Sequence, residues 1–248
     1  MPKERDEIEG ADGVIITFVS PKGGTGKSTT MLALMGAIHE DMPDAKILAM
    51  DMDPQNTITT ILETREEAGK DVSWFDVYSL EAAKALSSDD IVALCDEKRT
   101  KYDIILVDTQ GAARKEALYF ATTADIALIT AKYNSSELGP GAQFYDQVAN
   151  VLKQLDIPTA MYFLETRMAK VGETTETRQI RAQFAEMGYP TLKTRIPALG
   201  AFENMSRYGL FLHELAAVQD RAGNASAADV CRDLWKEIKA ILESESEQ

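Results

Sequence analysis

The chain has 248 residues, 45% of them apolar and 27% charged, and a formal net charge of −14. Such a composition suits one globular core, excludes a fibrous or wholly disordered chain, and argues against a protein that coats nucleic acid with its whole surface, since that requires clustered Lys and Arg. Cys95, Cys231, His39 and His213 each stand alone, so they read as core or surface residues of a reducing compartment rather than as a metal cage.

Residues 1–12 carry seven charges and no apolar period, which predicts a flexible charged tail ahead of a single domain over 13–248. This opening is unlike a signal peptide, and no apolar run is long enough to span a bilayer, so the expected location is the cytoplasm. "VIITFVS" (14–20) predicts a buried strand, and the Gly-rich stretch after it leads into a helix with Met31, Leu32, Leu34, Met35 and Ile38 at helical spacing. The alternation continues with strands at 46–51, 102–108, 124–130 and 159–165. Helices are predicted at 57–67, 88–99, 114–123, 137–154 and 175–187, and a last amphipathic one at 225–244 carries Val230, Leu234, Ile238 and Ile241 on one face. Near-continuous apolar strands alternating with helices indicate a doubly wound α/β fold, with a mostly parallel sheet covered on both faces. Ligands of such sheets sit beyond the carboxyl ends of the strands.

At the first strand end stands "SPKGGTGKSTT" (20–30), a near match to the phosphate-loop pattern G-x-x-x-x-G-K-[ST]. Pro21 occupies the place of the first glycine, and an extra lysine, Lys22, follows it. Gly23, Gly24 and Gly26 free the backbone to turn several N–H groups toward one anion, and the helix start adds a favourable field. The phosphate-binding stretch is thus Lys22, Gly23, Gly24, Thr25, Gly26, Lys27, Ser28 and Thr29, with Lys27 reaching terminal phosphates and Ser28 presenting a hydroxyl to Mg²⁺.

Two further strand ends carry acids. Asp108 closes "YDIILVD", where four apolar residues precede it, as a Walker B carboxylate or else as a strand-end cap. "DMDPQN" (51–56) sets Asp51 and Asp53 two apart, facing the phosphate edge or else forming an Asp-Pro turn.

"KGGTGKST", "DMDPQ" and "YDIILVDTQG" together resemble the deviant Walker A, A′ and B motifs of the ParA/MinD ATPases. "TRIPALGAFENMSRYGLFLHEL" (194–215) resembles the ParA segment that follows a late strand and lines the adenine side, here Ile196, Pro197 and Ala198. Within that group, "DTQG" and "IPTAMYFLETRMAKVGETTETR" look most like the VirC-type proteins of DNA transfer systems. The resemblance implies a P-loop ATPase fold with ATP and Mg²⁺ as cofactors and a homodimer in the ATP state. It implies that Lys22, Lys27 and Asp53 are catalytic: Lys22 reaches the phosphates of the other subunit's ATP, Lys27 serves its own, and Asp53 orients the attacking water. Ser28, Asp51 and Asp108 would form or support the metal shell.

The same resemblance implies slow ATP hydrolysis that partitions or positions DNA or a large cargo, a ParB-like or other adaptor that activates hydrolysis, and possible nucleoid association. The stretch 166–207, with seven Lys or Arg against four acids, reads either as a solvated mixed surface or as a basic face that makes nonspecific DNA contact through Arg167, Lys170, Arg178, Arg181 and Arg195. An alternative is a MinD-like positioning ATPase that uses the last helix on a membrane. Iron–sulfur carriers of this fold need paired cysteines, which Cys95 and Cys231 do not supply, and "AKYN" (131–134) lacks the acid of the guanine motif. The chain departs from ParA proteins in "DTQG" where "DCPP" is usual, and in Ala198 where an arginine often follows Ile-Pro.

Overall fold

A computed structural model describes residues 12–79, 86–111, 115–168, 173–219 and 222–246. Six parallel strands form one sheet: β1 (Val14–Val19), β2 (Ile47–Met52), β3 (Phe75–Ser79), β4 (Ile104–Thr109), β5 (Ile126–Ala131) and β6 (Ala160–Glu165), in the order β3-β2-β4-β1-β5-β6. The helices are α1 (Lys27–Asp41), α2 (Thr57–Glu67), α3 (Ser88–Arg99), α4 (Lys115–Thr122), α5 (Ser135–Leu155), α6 (Thr175–Glu186), α7 (Gly200–Tyr208), α8 (Leu212–Val218) and α9 (Ala222–Ser246).

Successive strand side chains point to opposite faces, and two apolar layers divide accordingly. On one face Ile16, Phe18, Ala49, Leu106 and Leu128 pack with α1, α2, α7, α8 and α9; on the other, Ile15, Met50 and Val107 pack with α3 and α4, and Ala127, Ile129 and Phe163 with α4, α5 and α6. Helix α1 is buried from Thr30 to Ile38 because it lies between the sheet and the outer helices, which is why it reads as apolar all round rather than amphipathic. Burial of both sheet faces removes any need for polar positions in the central strands.

The structure departs from the sequence reading at the sheet edge and near the carboxyl end. β3, "FDVYS", was not expected; only Phe75 of it is buried, so it lacks the continuous apolar run that marks the others. Among the described residues no strand stands between β6 and the 196–198 segment. Among the described residues that stretch makes only isolated bridges, Phe163 with Thr191 and Met168 with Pro197, and Pro190 has no N–H to extend the first of them. The segment then forms α7 and α8. Helix α9 spends its apolar face on the core: Leu234, Trp235 and Ile238 are buried against the layer that holds α1, and Trp235 Nε1 donates to Asp41 at 2.8 Å. That face is therefore not free for a lipid surface. No helix among the described residues is long and apolar enough to cross a membrane. Of the expected tail, residues 1–11 lie outside the described residues, as does Lys170.

Candidate nucleotide site

The loop after β1 turns sharply into α1, and glycine is what allows it. Gly24 has φ +78 and Gly26, at the start of α1, has φ +91, both in the left-handed region that side chains disfavour. Ser20 fastens the turn from below, its hydroxyl donating to the Lys22 carbonyl at 2.7 Å. Thr25 turns its side chain inward, to 2.9 Å from the Thr130 hydroxyl, so only its backbone faces the loop's open side. A further restriction comes from the end of β4: a Cβ on Gly111 would lie 2.9 Å from Gly23 Cα, which places the "DTQG" turn directly against the loop. The unusual Thr109 of that turn is buried and donates to the Phe18 carbonyl at 2.9 Å.

Lys27 points back to the sheet, where its ammonium pairs with Asp108 Oδ1 at 2.8 Å, and the Ser28 hydroxyl meets Asp108 Oδ2 at 2.5 Å. Asp108 is fully buried; burial raises its pKa and Lys27 opposes that rise. Asp51 lies beside it, paired in register across β2 and β4. One Asp51 oxygen accepts from the Thr59 N–H and hydroxyl at 3.0 Å each, while Oδ1 is buried without a partner among the described residues, and burial pushes this carboxyl's pKa up. An orphaned carboxylate oxygen beside a hydroxyl and a second carboxylate is a donor set that suits a hard cation with retained waters, so Ser28, Asp51 and Asp108 fit Mg²⁺. Asp53 stands half-buried just beyond β2, where its carboxylate accepts from the Gln55 N–H at 3.0 Å. The turn-forming role is thus present.

Lys22 is exposed and meets no carboxylate among the described residues. Its ammonium donates to the Ser136 carbonyl at 2.6 Å. That carbonyl is available because Pro140, four residues on and inside α5, has no N–H to give it. Neither Ser136 nor Pro140 is suggested by any motif. Asn134, which ends "AKYN", accepts from the Ser136 N–H at 3.1 Å, so it caps α5.

On the far side of the loop opens a cleft of about 460 Å³, lined by Gly26, Thr29 and Thr30, by Thr166 and Arg167, and by Ile196, Pro197, Ala198, Leu199 and Phe202. Glu203 and Ser206 complete the lining, so a partly apolar wall with polar edges adjoins the loop. The expected DNA residues do not form one free patch. Arg178 is exposed on α6, and Arg167 sits at the cleft. Arg181 pairs with Glu173 and, at 2.8 Å, with Glu165; Arg195 lies 3.6 Å from the same Glu165. Glu165, 3% exposed at the end of β6, is a buried acid that only its tertiary partners reveal.

The family profile described as VirC1 protein matches residues 14–244. The chain belongs to the VirC1 family. This VirC1-family chain is 23% identical over 215 residues to Protein ParA of Rhizobium radiobacter, covering 86% of the chain and 90% of the relative. To Protein virC1 of Rhizobium rhizogenes it is 25% identical over 198 residues, covering 79% and 81%. Its fold is that of the ParA/MinD P-loop ATPases. An ATP complex of Cyanothece McdA superposes with a TM-score of 0.72 at 16% identity, over 93% of this chain and 98% of the other. MinD of Pyrococcus horikoshii, complexed with Mg-ADP, superposes with a TM-score of 0.64 at 21% identity, over 93% and 98%.

Proposed function

We propose that this chain is an ATP-dependent dimerisation switch that hydrolyses ATP slowly to position or partition DNA, or to prepare it for transfer, with residues 13–248 as its ATPase unit. The observation that carries the reading is the contrast between two lysines on one loop: Lys27 is buried and committed to Asp108, while Lys22 is exposed and, among the described residues, committed to no acid. A lysine that serves its own site needs the first environment, and one that serves a neighbouring subunit needs the second. Phosphoryl transfer depends mainly on positioning and charge stabilisation, so a cation delivered across an interface is an effective device.

In this reading Lys27 exchanges Asp108 for the terminal phosphates, which frees Asp108 and Ser28 to hold Mg²⁺ with the support of Asp51. Bound there, Mg²⁺ supplies charge neutralisation to the phosphates. Asp53 orients the attacking water. Ile196, Pro197 and Ala198 take the adenine side. Binding to a ParB-like or other adaptor that stimulates hydrolysis belongs to the same proposal, as does nonspecific DNA contact, to which Arg178 on its exposed surface is best suited. The names of its relatives support the DNA role, ParA and virC1 among them.

The test is the solution size of wild type, Lys22→Ala and Asp53→Ala with and without MgATP. Wild type should be monomeric alone and dimeric with MgATP, Asp53→Ala should remain a dimer as wild type returns to monomer, and Lys22→Ala should fail to form a productive dimer. A monomer under every condition overturns the proposal.

A further inference from the structure

Arg167, which sequence reasoning groups with DNA contacts, occupies a different setting. It lies two residues beyond the end of β6 with φ +52, a left-handed conformation that costs a non-glycine residue on the order of 1–2 kcal/mol. Hydrogen bonds on both sides impose it. Thr166 N–H donates to the Ala131 carbonyl at 2.9 Å, and the Thr166 hydroxyl donates to the Thr25 carbonyl at 2.5 Å. Beyond it, Met168 N–H donates to the Ile196 carbonyl at 3.1 Å and the Met168 carbonyl accepts from Ala198 at 2.8 Å. Arg167 is the residue left to absorb the bend between these two anchors.

The bend lays its side chain over the phosphate loop. A Cβ built on Gly26 would meet Arg167 Nε at 3.5 Å and Cγ at 3.7 Å. The guanidinium stem therefore sits beside the residue that opens a 15-residue helix and precedes Lys27. A helix start already favours negative charge, so a second cation placed there is unfavourable until an anion arrives. Among the described residues no carboxylate pairs with Arg167, since the adjacent Glu165 is held by Arg181 at 2.8 Å with Arg195 at 3.6 Å. Arg167 also lines the cleft together with Gly26, Thr29, Pro197 and Glu203.

We infer that Arg167 is a nucleotide-positioning residue, whose guanidinium takes the phosphate nearest the sugar at the junction of the loop and the base cleft. The inference rests on the nucleotide reading above. Arginine suits this place because its planar fork donates two parallel hydrogen bonds to a phosphate. Arg178, exposed on α6, is left for nucleic acid.

The experiment measures MgADP affinity for the full chain and for Arg167→Gly, Arg167→Gln and Arg167→Lys, at two salt concentrations. Arg167→Gly and Arg167→Gln should weaken MgADP by about tenfold or more, the loss of one hydrogen bond to a charged group. Arg167→Lys should recover part of that loss, and the salt dependence of binding should flatten only in the uncharged variants. Without nucleotide, Arg167→Gly should unfold at the same temperature as wild type or a higher one, since glycine takes this φ without penalty; a purely structural role predicts a lower one. Affinity within about twofold of wild type in both uncharged variants, with nonspecific DNA binding reduced instead, overturns the inference and returns Arg167 to the DNA surface. Wild type that binds neither MgADP nor MgATP overturns the nucleotide reading and this inference with it; binding indifferent to Arg167 overturns this inference alone.

Discussion

Gly111 offers no functional atom beyond its backbone, yet it decides how closely the end of β4 approaches the phosphate loop. A methyl group there would lie 2.9 Å from Gly23 Cα and 3.2 Å from the Lys22 carbonyl oxygen, both backbone atoms that no rotamer change can move aside. Gly111→Ala should therefore displace the loop, cost about 1–3 kcal/mol of stability as an overpacking change, and weaken MgADP binding. Calorimetry on the variant checks both, and an unaltered affinity would mean that the loop tolerates the shift. Glu165 makes a similar point about charge: a buried carboxylate is stable at the end of β6 because Arg181 and Arg195 come to it from distant segments.

At the scale of elements, α5 is shaped by one imperfection. Pro140 deletes the N–H that would have closed the helix on Ser136, and the Lys22 ammonium, from another part of the chain, donates to that carbonyl instead. Pro140→Ala supplies the N–H. The variant should be more stable in denaturant titrations, with an upper limit of about 3 kcal/mol set by the helix penalty of proline. Lys22 should also react faster with an amine-directed reagent, as read by peptide mass spectrometry. If stability rises while the Lys22 rate stays at the wild-type value, the carbonyl is not what holds the lysine. Helix α2 shows a different kind of tie. Arg65, buried near its end, pairs with Glu214 at 2.5 Å and donates to the Gly209 carbonyl at 3.2 Å, joining the element after Asp53 to the α7–α8 turn beside the base cleft.

For the whole molecule, the outer layer over α1 holds both histidines. His39 stacks on Trp74 with ring centroids 3.9 Å apart and Nδ1 unpartnered among the described residues, and His213 lies 3.8 Å from Glu40. Burial lowers both pKa values from 6.5; Asp71, Glu40 and Glu214 oppose this around His39 while Arg65 reinforces it, and Glu40 and Glu214 oppose it around His213 while His39 and Arg232 reinforce it. A histidine whose folded pKa is depressed is protonated first in the unfolded chain, so its stabilising contribution is present above 6.5 and shrinks as pH falls below it. Between about pH 7.5 and 5.5, wild type should lose more stability than a His39→Gln, His213→Gln double variant. Equal losses in the two proteins would remove the histidines as the cause.

Most of this arrangement was legible in the chain because local rules suffice for it. Buried strands of a parallel sheet are apolar on both faces, so β1, β2, β4, β5 and β6 announce themselves, as do α2 over Thr57–Glu67 and α3 over Ser88–Arg99. Glycine spacing before Lys27 and Ser28, and acids at the ends of apolar runs, point to phosphate and Mg²⁺ for reasons of backbone freedom and charge. What no local rule reaches is pairing over distance. The edge strand β3, the packing of α9 on the core, the use of Arg181 and Arg195 on Glu165, the seat of Lys22 on Ser136 and the placement of Arg167 over Gly26 depend on which segments the fold brings together. A sequence determines what each residue is able to do by itself, and here that was enough for the fold class and the nucleotide loop. Which cation meets which anion is settled by tertiary distance, because electrostatic and hydrogen-bond energies are set by separation in space and not by separation along the chain.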